Sequence, residues 1–399
     1  MRRLFGLAWV LVSMASILAR CWGQEAVDTR AASQDAVTKR IESRQEALSA
    51  LPADKKQALT GDIQKESREH FGFDAFKNVN DLIAVDPTKL SLALKGNLDM
   101  TVNHVVVRNL FPLLVEPTAI ASTGDQVYPD LQAALNAENT NQILQLANRV
   151  GRIRYWVKTD QPEASVPDSA AYLAGTGFVV GPGLIATACH VLDYITDDSS
   201  GSSMSSTVWV KFDLSADPNT HQAYAISNVV GKGSLEGEDY AVLSVSAVSE
   251  DGASHLPTAV PLGDDAKTTF VGVIGYPDID GATKECAPGG TGCDETAQWF
   301  TNFGQKNPGT IKIISPGRKT GGFSPNGFPI LTYDAPTLGG QSGSPVIDLQ
   351  SGLVVGLHYC CTGYQPSGNE PSCAKLHPIS LGDDSENEGL VIKDVVIPN

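Results

Sequence analysis

Gly175-Thr-Gly-Phe-Val-Val-Gly-Pro-Gly-Leu-Ile-Ala-Thr-Ala-Cys-His190 sets two short apolar runs, Gly177–Val180 and Leu184–Thr187, on either side of a Gly-Pro-Gly turn. Short β-branched runs separated by turn residues read as strands. The same texture extends in both directions. Arg152-Ile-Arg-Tyr-Trp-Val157, Thr207-Val-Trp-Val-Lys-Phe212 and Tyr240-Ala-Val-Leu-Ser-Val245 share it, as do Phe270–Ile274, Thr310–Ile314, Pro345–Ile347 and Leu353–Leu357. A Ser/Gly/Asp-rich loop separates Asp197 from Ser206. No helical pattern intervenes, so residues 151–399 are expected to form an all-β barrel or sandwich, with length enough for two small barrels.

Upstream the period changes. Behind a capping Ser33, residues Ala36, Val37, Ile41, Ala47 and Leu48 fall roughly on one stripe, with Lys39, Arg40, Glu42 and Arg44 elsewhere. Pro52 stands where a second helix would begin, ahead of Ala58, Leu59 and Ile63. The run Val105–Val115 reads equally as strand or helix, and helical patterning returns over Asp130–Val150. No chemical motif falls here, and the charged runs read as solvated helix faces. The chain is expected to divide near residue 150, with an α-rich N-terminal region (24–150) preceding the β domain (151–399).

The first residues read as an address. Met1-Arg-Arg precedes an apolar run from Leu4 to Leu18 and a small-residue exit at Cys21-Trp-Gly23. That run is shorter than the ~20 residues a spanning helix needs, so residues 1–23 read as a secretory signal peptide cut after Gly23. A secreted or periplasmic product is expected. The 399-residue chain has a formal net charge of −16, and residues 1–23 hold three arginines and no carboxylate, so the remainder is more acidic still. Such a surface repels phosphate backbones and anionic lipid heads; nucleic acid and, after signal removal, membranes are not expected partners.

Export makes disulfides the default for Cys189, Cys286, Cys293, Cys360, Cys361 and Cys373. Cys286 and Cys293 bracket a turn-rich loop that can close locally, and Cys373 can return to Cys360 or Cys361. Sequence does not choose among the pairings. No paired CxxC spacing suggests zinc.

Three places in the β domain carry chemistry. Thr337-Leu-Gly-Gly-Gln-Ser-Gly-Ser-Pro-Val346 surrounds Ser342 with small residues, so the backbone can turn tightly and present one hydroxyl. Serine is a poor nucleophile until a base takes its proton. The N–H groups of Gly340 and Ser342 can converge on the oxyanion of a tetrahedral intermediate. His190 ends an apolar run; alone it reads as structural, but an imidazole of pKa about 6.5 is the natural base near neutrality. Asp239, in Gly237-Glu-Asp-Tyr-Ala-Val-Leu243, precedes an apolar strand, where a half-buried carboxylate orients an imidazole. Each has a bland alternative; His, Asp and Ser in that order within one β-rich domain share none.

Together these motifs resemble the chymotrypsin-like (trypsin-fold) serine peptidases. The likeness is nearest to their bacterial glutamyl-endopeptidase (V8-like) branch, which also carries a Gly-Tyr-Pro like Gly275-Tyr-Pro277. It covers roughly residues 151–361 and leaves 24–150 unmatched. The resemblance implies an all-β double β-barrel, two six-stranded barrels with the active site between them, preceded by the α-rich region. It implies His190 as general base, Asp239 as its orienter and Ser342 as nucleophile, with Gly340 and Ser342 forming the oxyanion hole. Protein or peptide substrates are implied, with no cofactor and no metal.

Departures narrow the implication. Where pancreatic-type members place an aspartate that pairs with a newly cut N-terminus, this chain has Gln341, so that activating salt bridge cannot form. Where members cutting after Lys or Arg place a pocket-floor aspartate, it has Pro336. Thr337 and His358 match the positions that hold an acidic P1 side chain in glutamyl endopeptidases, although His358 lies one residue further from the serine. The resulting expectation is a secreted serine endopeptidase acting through an acyl-enzyme, with acidic P1 preference. The rivals are a catalytically silent binding module on the same scaffold and a protease preferring small or apolar P1 residues. An α/β-hydrolase is excluded by the order of the three residues. Residues 24–150 read as a pro-segment, making the chain a zymogen, or as a permanent accessory domain.

Overall fold

The computed structural model describes residues 37–108, 113–115, 119–121, 131–135, 137–156, 172–196, 207–212, 223–233, 238–277, 311–323, 329–337, 339–361 and 387–392, with residues 35, 204 and 395. Residues 1–23 and Cys286, Cys293 and Cys373 lie outside them, as do most of the Asp197–Ser206 loop and the side chains of Cys360 and Cys361.

Helix α1 (37–50) buries Ile41, Gln45 and Leu48, spaced four and three apart, so one stripe faces inward. Pro52 then sits at the cap of α2 (Ala53–Ala58), where its missing N–H costs nothing. Helix α3 (Thr60–Phe71) stops at Gly72, whose φ of 77° lets its N–H close on the Arg68 carbonyl. Asn78 caps α4 (Val79–Ile83) by accepting from the Asn80 and Asp81 N–H groups. Helix α5 (Leu92–Arg108) buries Leu98, Val102, Val105 and Val106. Each such side chain contributes about 1.5–3 kcal/mol of apolar burial.

One expectation for this region fails. Arg44 is not on a solvated face: it is fully buried, 2.7 Å from the Asp99 carboxylate of α5, which also holds Arg40 at 2.8 Å. A charge survives burial only when paired, and Asp99 serves two arginines. The ambiguous run Val105–Val115 resolves into both forms, α5 ending at Arg108 and strand β1 covering Leu113–Val115.

Strands β3 (Val150–Trp156), β4 (Tyr172–Gly181), β5 (Leu184–Thr187), β6 (Thr207–Lys211), β7 (Ala223–Lys232) and β8 (Ala241–Val245) close in the order β3-β4-β5-β8-β7-β6. The second barrel uses β9 (Phe270–Gly275), β10 (Ile313–Phe323), β11 (Ile330–Tyr333), β12 (Pro345–Asp348), β13 (Val354–Cys361) and β14 (Asn387–Val391). Its sheet runs β11-β14-β13-β12-β9-β10, and an additional β10–β11 pairing closes the ring. β10 does both jobs, pairing with β9 from Ile313 to Arg318 and with β11 from Lys319 to Phe323. This is the double six-stranded barrel expected, with helices ahead of it. Closure removes the sheet edges.

The N-terminal region is joined to this body. β1 and β2 (Ile120–Ala121) extend the second barrel's sheet, Leu113 and Leu114 pairing with Ile314 and Ile313. After α6 (Leu131–Ala134), helix α7 (Ala137–Ala147) lies against the β12–β13 loop, where Asn139 Nδ2 donates to the Leu349 carbonyl at 3.2 Å, and just beyond its end the Arg149 guanidinium donates to the Ala259 carbonyl at 2.9 Å. Buried Lys312 donates to the carbonyls of Ala147 (2.6 Å) and Phe212 (3.3 Å), with its Nζ 5.1 Å from the Tyr276 ring centroid. One apolar core runs without a break from Ile41 and Leu48 through Val150 to Ile347.

Candidate active site

His190 comes from the end of β5. After Thr187 the chain enters a 3₁₀ turn, Cys189–Val191, continued by α8 (Leu192–Ile195). β5 pairs with β8 so that Thr187 faces Ala241. The antiparallel register then sets Asp239 beside the turn that carries His190. The fully buried Asp239 carboxylate accepts the His190 backbone N–H at 3.0 Å, and its second oxygen stands 2.9 Å from Nδ1. A carboxylate can only accept, so Nδ1 carries the proton and Nε2 is left as the base. Burial presses the imidazole pKa down, but the Asp239 charge and hydrogen bond outweigh it, and His190 stands above 6.5.

Ser342 is brought to the same wall by its glycine neighbours. Gly340 and Gly343 have φ of 83° and 86°. A Cβ on Gly343 would lie 2.1 Å from the Thr176 carbonyl oxygen and 2.9 Å from the Ala188 nitrogen, so only glycine lets this loop close on the strand leading to His190. Thr176 N–H donates to the Ser342 carbonyl at 2.8 Å, and Thr176 Oγ1 donates to Gly340 O at 2.9 Å. The same Oγ1 accepts the Tyr276 N–H at 3.1 Å. Thr176 thus ties the first barrel to the serine loop and to the second barrel, a role the sequence showed only as the small residue inside Gly-Thr-Gly-Phe.

The Ser342 hydroxyl is half-buried and makes no hydrogen bond to another described residue. Among the described residues the His190–Asp239 contact is closed and no Ser342–His190 hydrogen bond is made. Among the described residues, neither the Gly340 nor the Ser342 N–H donates to a protein acceptor, so both remain for a ligand oxygen. Ser344, the neighbouring hydroxyl, is fully buried, with Oγ 2.1 Å from where a Gly275 Cβ would stand. Gln341 is also fully buried, donating to Ser315 Oγ at 3.3 Å.

Thr337 and His358 meet around β14. Gly343 N–H donates to the His358 carbonyl at 2.7 Å, and His358 N–H to the Ser344 carbonyl at 2.8 Å, which fixes this strand against the serine loop. His358 Nδ1 lies 2.7 Å from the Tyr333 hydroxyl, itself 3.2 Å from the Glu388 carbonyl. Burial pushes His358 down to about 3, against an opposing pull from the Glu388 carbonyl. Thr337 Oγ1 donates to Asn387 Oδ1 at 2.6 Å, and Asn387 Nδ2 donates to the Ala335 carbonyl. Tyr333, Asn387 and Glu388 escaped the sequence reading because β11 and β14 carry no motif. Only the β11-β14-β13 order of the sheet brings them to His358.

Residues 175–357 match the family model described as the trypsin-like peptidase domain. No curated protein matches in sequence. Among solved structures, the Rv3671c protease from M. tuberculosis in its active form is 20% identical, covering 70% of this chain and 87% of that one, with a TM-score of 0.36. The inactive form of the same protease is 20% identical over 67% of this chain and 92% of that one, with a TM-score of 0.36. Residues 175–357 of this chain are thus similar to the trypsin-like peptidases, and the double barrel that holds them is a peptidase fold.

Proposed function

We propose that the chain is an exported serine endopeptidase. The observation that carries this is the contact of buried Asp239 with both the backbone and the ring of His190, beside a Ser342 loop whose glycines fold it against the same strand. His190 Nε2 takes the proton of Ser342 as Oγ attacks the substrate carbonyl carbon. The oxyanion is held by the Gly340 and Ser342 N–H groups. His190⁺ then protonates the leaving amine as the C–N bond breaks, giving an acyl-enzyme. Water, deprotonated by His190, attacks that ester and the proton returns to Ser342. No cofactor or metal enters these steps, and peptides or proteins are the substrates.

The finer reading is acidic P1 preference through Thr337 and His358. A P1 carboxylate beside His358 raises the histidine's pKa, so binding brings a proton with it. In this reading residues 1–23 direct the chain to the periplasm or the exterior, where the cysteines form disulfides, and residues 24–150 stay attached as an accessory domain rather than leaving as a pro-segment. The buried Arg44–Asp334 contact and the β1–β10 pairing support retention.

A serine-directed fluorophosphonate is expected to label the full-length protein covalently and the Ser342→Ala variant not at all. Absence of labelling in the parent overturns the enzyme reading and leaves a binding module.

A further inference from the structure

We infer that Asn387 is a specificity-determining residue of the P1 pocket, donating an amide hydrogen to a P1 side chain that ends in a carbonyl or carboxylate oxygen, with Thr337 positioning it. This rests on the peptidase reading of the cleft and deepens it.

Proton counting orients the Asn387 amide. The Ala335 carbonyl can only accept, so the edge of the Asn387 amide facing it is the nitrogen. The oxygen edge therefore faces Thr337, whose single hydroxyl proton goes to it at 2.6 Å. Thr337 then has only lone pairs left to show a substrate. Asn387 Nδ2 has two hydrogens and gives one to Ala335. The second meets no described acceptor. Of the two residues, the donor is Asn387, not the threonine that the motif suggested.

Topology places that donor in the pocket. β14 pairs Asn387 with Tyr333 of β11 and Gly389 with His358 of β13. Paired residues, and residues two apart on a strand, share a face. Tyr333, Asn387, Gly389 and His358 therefore line one side of the sheet. Gly389 puts no side chain between Asn387 and His358, where a Cβ would already stand 3.3 Å from the Tyr333 hydroxyl. His358 is tied by its backbone to the loop of Ser342. Both Thr337 and Asn387 are half-buried, so the pair meets solvent where His358 and Tyr333 do not. With Thr337 offering only lone pairs and His358 buried, this amide is the donor that an oxygen-bearing P1 group meets beside His358.

The experiment uses full-length protein and three peptides differing only at P1: Glu, Gln and Leu. Asn387→Leu keeps the volume and removes the donor. It is expected to lower kcat/KM about tenfold or more on the Glu and Gln peptides. The Leu peptide should hold or improve, and the fluorophosphonate labelling rate should stay within about twofold. Asn387→Asp, close in shape but without donors, is expected to lose more on Glu than on Gln. Thr337→Val is expected to blunt discrimination in the same direction, and Thr337→Ser to restore it. Equal losses on all three peptides, or none, overturn the assignment while leaving a peptidase. A parent protein that neither labels nor cleaves overturns the peptidase reading and this inference together.

Discussion

His358 holds an imidazole whose pKa falls from 6.5 to about 3 in the folded chain. In the unfolded chain the same group takes a proton at about 6.5. Between those values the unfolded state binds more protons, so stability falls as pH drops through that window. It is fully present above about 6.5. The His358 contribution to this loss is on the order of 4 kcal/mol by pH 3. His358→Gln is expected to flatten the dependence, losing less melting temperature than the parent between pH 7 and pH 4. Identical slopes in thermal melts across that range would contradict the assignment. His190 behaves oppositely, its pKa held above 6.5 by Asp239. If its neutral form is the base, as proposed, activity should rise with pH through a value above the ordinary 6.5, and Asp239→Asn should move that limb down. The His190–Asp239 contact and the closely folded Ser342 loop were legible in the sequence because few residue types can orient an imidazole or turn so tightly. Asn387 and Tyr333 were not, since an asparagine or tyrosine acquires its role only from the strand it is paired with.

At the scale of elements, legibility followed local pattern. Leu184–Thr187 and Phe270–Ile274 are strands almost as read, because their apolar runs end at turn residues. β10 was read as Thr310–Ile314 and extends to Phe323, since Pro316 and Gly317 look like a stop. They instead stay paired with β9, just before the strand passes to β11 between Arg318 and Lys319. A Cβ on Gly317 would stand 2.5 Å from the Ala335 nitrogen and 2.9 Å from Asp334 Oδ1, so the crossover needs glycine. Gly317→Ala is expected to cost about 2–4 kcal/mol in denaturant unfolding, because backbone on the facing segment must move. Gly321→Ala, where only Thr332 Oγ1 comes within reach at 3.3 Å, should cost less than about 1 kcal/mol. Equal costs would refute the crossover argument. Helix α5 was missed for a different reason: LALKGNLDMTVNHVVVR carries weak periodicity and an interior Gly96. Its helicity comes from packing against α3 and from Asp99.

For the molecule as a whole, the N-terminal helices and the second barrel share buried charge. Asp99 holds Arg40 and Arg44, Arg44 Nε stands 3.9 Å from Asp334, and Asp334 Oδ1 accepts the Arg318 N–H at 2.6 Å. Asp334 leads directly into Ala335, Pro336 and Thr337, so the helices brace the segment that carries Thr337. Removing one member of a buried pair costs about 3–5 kcal/mol, because the remaining charge has lost its partner. Asp99→Ala is expected to lower the melting temperature of the entire chain in one cooperative transition. A separate early transition, with the barrels melting unchanged, would show that the helices fold apart from them. The change from helices to barrel strands near residue 150 was visible as a change of period. The ion network was not, because arginines on an amphipathic helix look solvated until a partner element is known.

Lys312 has a consequence for motion. Its ammonium group is a rivet through three plates: the end of α7, the rim of the first barrel and an aromatic ring of the second. Prising any plate away would leave a cation stranded in oil. The groove between the barrels must therefore adapt to an incoming peptide by shuffling its loops, while the barrels themselves travel as one block.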